Sequence, residues 1–76
     1  MTRIPTAGLN WMEAGRKVHA MVEMARKIAK VESNTYTYTM KESWNNPEVW
    51  VVSFGSSAEA NAVESALAGV VEEGLW

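Results

Sequence analysis

The alternation of apolar and polar residues divides the chain into an arm, a helix, a hairpin and a second helix. Residues 1–9 show neither a strand period nor a helix period, and Pro5 and Gly8 interrupt regular structure there. We therefore predict an irregular N-terminal arm. Its apolar residues, Ile4 and Leu9, are expected to tuck against the body of the domain.

The first helix is predicted over residues 11 to about 31, because apolar residues recur there at the spacing of one helical face. Asn10 and Glu13 have the spacing of a capping box, which marks the start of this helix. Ser33 and Asn34 are its predicted stop. The predicted core stripe is Trp11, Ala14, Val18, Met21, Val22, Ala25, Ile28 and Ala29.

The hairpin is predicted from alternating threonine and tyrosine in a first strand, Thr35 to about Glu42, and from a second strand, Glu48–Phe54. A turn over Ser43–Pro47 centred on Asn45 gives a register in which Met40 faces Trp50. That register predicts an aromatic face, which is Tyr36, Tyr38, Met40, Trp50, Val52 and Phe54. The opposite face is Thr35, Thr37, Thr39, Lys41, Val49, Val51 and Ser53.

The second helix is predicted from residue 57 to about residue 73. Ser56 is the expected N-cap with Glu59 in the capping-box position, and Gly74 is the expected C-terminal cap. Leu75 and Trp76 are expected to fold back onto apolar surface.

These elements predict one α+β domain over residues 1–76, in the order α-β-β-α. Two antiparallel helices are expected on the aromatic face of a two-stranded hairpin. Gly15 and Gly69 interrupt the helix interiors at a cost of about 1 kcal/mol each relative to alanine. They indicate either close approach of the helices or exposure to solvent.

Composition excludes several classes of site. The chain has 76 residues, no cysteine, no aspartate and one histidine, so neither disulfides nor a metal centre nor another cofactor is expected. No apolar run approaches the roughly 18 residues that span a bilayer, and the start of the chain lacks the pattern of a signal peptide. The expected setting is the cytoplasm, or the host cytoplasm for a phage-encoded chain, with a free-standing domain.

The hairpin tip and the threonine-rich face are the predicted partner-binding site. Trp44 lies in the turn, and tryptophan is enriched among binding hot spots. The second face is β-branched and nearly uncharged, as surfaces that meet a protein partner or a second copy often are. The candidate residues are Trp44, Asn45, Asn46, Glu48, Thr37, Thr39, Val49 and Val51. The alternatives are that the arm covers this face, that its threonines face solvent, or that Trp44 curls over the core.

Five of the seven basic residues lie on the first helix, and they are Arg16, Lys17, Arg26, Lys27 and Lys30. As a contact face they would bind nucleic acid through phosphate. Glutamates among them and a pI near 5.3 disfavour that interpretation. A solvated helix face is the preferred one.

No catalytic residues are predicted. His19 is the only histidine and has no recognisable partner in the sequence, and no nucleophile or phosphate-binding motif is present. A chain of this length is also expected to lack the pocket of roughly 300 Å³ that a small-molecule substrate needs.

The sequence therefore predicts a non-catalytic protein-binding module. In size and composition it is similar to accessory proteins of phages and mobile elements, anti-CRISPR proteins included. That resemblance implies steric inhibition of a host protein complex. The alternative is a structural homodimer or assembly subunit joined through the open β edge or face, and a third is weak nucleic-acid binding through the first helix.

Overall fold

The computed structural model describes residues 1–74, apart from the side chain of Pro47. Within them lie β1 (Thr2–Pro5), α1 (Trp11–Ala29), β2 (Tyr38–Ser43), β3 (Asn46–Phe54) and α2 (Ala58–Glu73). The strands form an antiparallel sheet in the order β1-β3-β2. Because β1 and β2 both run antiparallel to β3, they are parallel to each other and joined through α1, a split β-α-β arrangement. The predicted α+β class is confirmed, and the predicted return of Leu75 and Trp76 lies outside the described residues.

The N-terminal arm is a strand, so the predicted irregular arm and the predicted order α-β-β-α are wrong. The order is β-α-β-β-α and the sheet has three strands. Ile4 of β1 pairs with Trp50 of β3 and is fully buried. A four-residue strand shows too few alternations for a period to be read from sequence. Pro5 also argues against a strand, although an edge strand tolerates proline on the side that faces away from its neighbour.

The hairpin register is shifted by two residues from the predicted one. The pairs are Tyr38 with Phe54, Met40 with Val52 and Glu42 with Trp50. The cause is an irregular turn: Ser43 pairs with Asn46 across a two-residue loop, with a register shift between Glu42 and Ser43. A shift by two keeps every side chain on its face, so the predicted division into two faces stands.

Both helices begin and end at residues with capping geometry. The Asn10 side chain accepts from the Glu13 amide at 2.8 Å, and Glu13 accepts from the Asn10 amide at 3.3 Å. Helix α1 ends at Ala29, before the predicted stop, with Lys30 in the left-handed conformation at φ 58°. Ser57, one residue after the predicted cap, accepts from the Ala60 amide at 3.1 Å.

The core lies between the two helices and one face of the sheet. Its buried members are Ile4, Ala14, Val18, Met21, Val22, Ala25, Trp50, Val52, Val63, Leu67 and Val70. Trp11 and Ile28, both predicted for the core stripe, are 73% and 53% exposed. The fully buried stripe of α1 runs from Ala14 to Ala25, and Trp11 and Ile28 each lie one turn beyond an end of it.

Candidate functional site

The hairpin tip presents Trp44 on an ordered turn. Its side chain is 94% exposed, so the alternative in which it curls over the core is wrong. Ser43 donates to the Asn45 side-chain oxygen at 2.8 Å, and the Glu48 amide donates to the Asn46 side-chain oxygen at 3.0 Å. These two bonds hold the predicted turn residues in place and leave the indole in solvent.

The threonine-rich face lies on the side of the sheet opposite the helices. Thr39 of β2 and the half-buried Val49 and Val51 of β3 lie on it together, whereas Thr37 precedes β2. The arm does not cover this face, because β1 joins the sheet at its edge. In that position it places Arg3 beside Val51 and so widens the face.

Sequence reasoning missed a groove between the first half of α1 and the edge of β2. Its volume is about 560 Å³, so the expectation that so short a chain has no room for such a pocket is wrong. We call it the α1–β2 groove. It is lined by Trp11, Met12, Gly15, Arg16, His19, Met40, Lys41, Glu42 and Trp50. It is an open trough along the surface rather than an enclosed cavity.

Gly15 lies directly over Trp50 at the floor of the groove. A Cβ built at this position would lie 3.7 Å from Cη2 of Trp50, so Gly15 faces the sheet rather than the other helix. At Gly69 a Cβ would meet nothing within 4 Å. The interpretation of both glycines as marks of close helix approach is therefore wrong. Gly15 instead lies over the buried Trp50 indole, which forms part of the groove lining.

Apolar side chains form the rim of the groove. Trp11 stands beside Trp50, with ring centroids 6.2 Å apart and a tilt of 52°. Met12 is 59% exposed and Met40, on the opposite wall, is 37% exposed. The signal available in the sequence was Met12, a large apolar residue next to Trp11 and off the buried stripe of α1.

The outer edge of β2 runs along the mouth of the groove with its backbone groups unpaired. The Gly55 amide donates to the Thr37 carbonyl, which identifies the odd-numbered residues of β2 as those bonded to β3. The amides and carbonyls of Tyr38, Met40 and Glu42 consequently point away from the sheet. Within residues 1–74, no strand pairs with this edge.

The outer edge of β1 is blocked instead. The Thr6 amide donates to the Glu48 carbonyl at 2.7 Å, so the backbone groups of Arg3 and Pro5 face outward. Pro5 has no amide hydrogen, and its carbonyl accepts from Nζ of Lys17 at 2.6 Å. Proline and lysine are common means of protecting a sheet edge.

The predicted basic face of α1 is divided among different environments. Lys17 bonds to β1, and burial lowers the pKa of its ammonium group. Arg26 pairs with Glu23 at 3.1 Å and donates to the Val31 carbonyl at 3.0 Å. Lys27 and Lys30 are exposed in and just beyond the last turn, and Arg16 lines the groove. Arg16, Lys27 and Lys30 are exposed as a solvated face requires, whereas Lys17 and Arg26 are partly buried and bonded.

His19 has a partner that the sequence did not reveal. Its Nδ1 lies 2.7 Å from the Tyr38 hydroxyl, which ties α1 to β2 at the groove. Burial raises the pKa of Tyr38, and Tyr36 and the Glu23 carboxylate raise it further. The Tyr38 ring also packs against Phe54, with centroids 5.8 Å apart.

No family model, curated protein or solved structure matches this chain. Within residues 1–74, no three histidine, cysteine or acidic side chains are grouped as a metal would need. In the same part of the chain, neither helix has the length and apolar character to cross a membrane.

Proposed function

We propose that this protein is a non-catalytic protein-binding module whose contact surface is the α1–β2 groove and its rim. The observation that carries the proposal is the exposure of Trp11, Met12 and Met40 around one groove. Exposed apolar groups that converge on a concave surface are typical of interaction sites. Burying one methionine-sized side chain in a complex contributes roughly 1.5–3 kcal/mol, and a tryptophan is larger.

Trp44 extends this surface at the hairpin tip. It follows Glu42 by two residues, which corresponds to about 7 Å along an extended strand. A partner seated in the groove therefore lies near a second exposed tryptophan. The proposed contact thus keeps Trp44 and its turn from the predicted site and adds the rim of the groove.

The finer proposal is steric inhibition of a host protein complex. It is supported by the size and composition that this chain shares with phage accessory proteins. A domain with a longest dimension of 31 Å can cover a partner's binding surface without any chemistry of its own.

Affinity capture with matched variants tests the proposal. Immobilised wild-type protein is expected to retain a partner from a lysate of the source organism or its host, through high salt. Trp11→Ala and Trp44→Ala are expected to weaken retention, whereas Ile28→Ala, an exposed apolar position at the other end of α1, should leave it unchanged. Equal retention by all four proteins, or none by wild type, would contradict the proposal.

A homodimer joined through β2 is the second candidate, because the open edge is self-complementary. If two β2 strands pair antiparallel about Met40, Tyr38 lies opposite Glu42 of the other copy, and Thr39 lies opposite Lys41. This register places no like charges against each other. Light scattering that gives a mass of 8.4 kDa at all concentrations would exclude an obligate dimer.

Nucleic-acid binding has the least support, because Lys17 and Arg26 already bond to Pro5 and Glu23. It predicts an affinity that falls steeply with salt concentration. Failure to bind a nucleic-acid column at low salt would exclude it.

A further inference from the structure

We infer that the α1–β2 groove takes an extended peptide, which adds to β2 as a further strand and places a large apolar side chain beneath Trp11. The inference rests on the proposed protein-binding function and names its ligand class. Peptides that bind by strand addition obtain affinity from main-chain hydrogen bonds and specificity from pockets for alternate side chains. Both components are present at this groove.

The backbone component is the outer edge of β2. Tyr38, Met40 and Glu42 each direct an amide and a carbonyl outward, as argued above from the bond between Gly55 and Thr37. Their span is about 13 Å, which matches a peptide segment of about five residues. The blocked edge of β1 offers no comparable site, because Pro5 lacks a donor and its carbonyl is already bonded to Lys17.

The side-chain component follows from the pleat of the sheet. In an antiparallel addition, the peptide residue opposite Met40 points toward α1, on the same face as Met40 and Trp50. That position leads into the groove lined by Trp11, Met12 and the Trp50 indole, over which Gly15 lies. A large aliphatic or aromatic side chain fits this apolar space.

The basic side chains near the groove favour a peptide that carries an acidic residue. Lys41 is exposed on the outer face, where the peptide residue opposite it would also point. Arg16 lines the groove, and no ion pair among residues 1–74 involves it. Glu42 is the one acidic residue of the groove lining and lies toward the hairpin tip. A large apolar residue opposite Met40, with a glutamate or aspartate beside it opposite Lys41, is therefore the expected motif.

The test begins with a random linear peptide library displayed on phage and selected against the full chain. Enriched peptides are expected to carry a large apolar residue with an acidic residue next to it. The selected sequences are then made as synthetic peptides. Apolar spacing of three to four residues would indicate a bound helix and would overturn the inference.

N-methylation of the synthetic peptide distinguishes strand addition from other modes. The residue that points into the groove also donates its amide to β2, so N-methylation there should weaken binding by about tenfold or more. N-methylation of the residues on either side, whose amides face away from β2, should change affinity little. Equal effects at both kinds of position would overturn the inference.

Variants of the protein give an independent readout. Gly15→Leu fills the groove over Trp50 and should reduce peptide affinity by about tenfold or more, whereas Gly69→Leu, in open space on α2, should not. If Gly15→Leu does not fold, amide exchange of the wild-type complex replaces it. Peptide should then protect the amides of Tyr38, Met40 and Glu42, and unchanged exchange at all three would contradict strand addition.

The outcomes separate this inference from the proposed function. If the library yields no strand-like peptide while Trp11→Ala still abolishes partner capture, the ligand class is wrong and the protein-binding function stands. If neither capture nor selection depends on the groove, both fail. Protection of the β2 edge without any peptide would assign the site to a second copy of the chain and would also overturn the inference.

Discussion

Trp50 is the residue at which the core and the proposed binding surface meet. It is buried, it pairs with Ile4 of β1 and Glu42 of β2, and its ring approaches both Trp11 and Gly15. A change at Trp50 would alter folding and binding together. The rim residues Trp11 and Met12 are exposed, and for this reason they are the positions at which binding can be tested separately from folding.

Thr6 carries a buried hydroxyl without a hydrogen-bond partner among residues 1–74. Thr6→Val removes this group at nearly constant shape, so we expect the free energy of unfolding to rise by about 1 kcal/mol. Thr6→Ser, which keeps the hydroxyl and loses the methyl group, should lower it. Urea unfolding measures both, and destabilisation by Thr6→Val would show that the hydroxyl is bonded in solution.

Tyr38 should make stability depend on pH in the alkaline range. Its pKa in the folded protein is raised above the ordinary tyrosine value of about 10. The stability that depends on the neutral Tyr38 hydroxyl is fully present below the ordinary tyrosine pKa. It is lost as the pH rises through the higher pKa of the folded state. Lys17, with its lowered pKa, acts in the opposite direction over a similar range.

Comparison with Tyr38→Phe isolates the tyrosine contribution. The difference in unfolding free energy between wild type and Tyr38→Phe is expected to be constant at mildly alkaline pH, between the ranges in which imidazole and tyrosine side chains titrate. As the pH rises above about 10, wild type should lose stability relative to Tyr38→Phe. A difference that does not change with pH would mean that Tyr38 titrates normally.

At the scale of elements, the two helices could be predicted from signals local in the sequence. Strand β1 and the hairpin register could not, because they depend on contacts between residues far apart in the chain. The Asn10 and Glu13 pair and Gly74 are local signals, and both mark helix ends in the structure. Strand β1 is only four residues long, and its partner β3 lies more than forty residues later in the chain. The hairpin register depends on an irregularity between Glu42 and Ser43 that no residue type in the sequence indicates. The predicted register therefore differs from the observed one by two residues.

The candidate site was harder to predict than the fold. Trp44 was identified because a tryptophan in a turn has little to bury it. The α1–β2 groove was missed, because it requires knowing that Gly15 lies over Trp50 and that Trp11 lies outside the buried stripe of α1. Neither fact follows from periodicity, which placed Trp11 in the core.

Strand β1 is expected to contribute substantially to stability. Ile4 is fully buried against β3, so Ile4→Ala should cost about 2–5 kcal/mol. Leu9 is also apolar and lies in the same N-terminal segment, but it is exposed, and Leu9→Ala should cost less than about 1 kcal/mol. Thermal or urea unfolding compares them. Similar, small losses would fit an irregular arm and contradict the three-stranded sheet.

At the scale of the whole molecule, the sheet formed within residues 1–74 has one blocked edge and one open edge. The β1 edge is protected by Pro5 and Lys17, whereas the β2 edge runs beside an apolar groove and pairs with no strand of the described chain. This asymmetry limits association through the sheet to one side of the molecule. Both the proposed protein-binding function and the proposed peptide ligand depend on this asymmetry.

Amide hydrogen exchange along β2 in the dilute protein tests for that open edge most directly, without requiring a partner. The amides of Thr39 and Lys41, bonded to β3, should exchange slowly, and those of Tyr38, Met40 and Glu42 should exchange quickly. Slow exchange at all five positions would show that the edge is already occupied. An inverted alternation would show that the register is wrong, and either result would contradict an open edge at the groove.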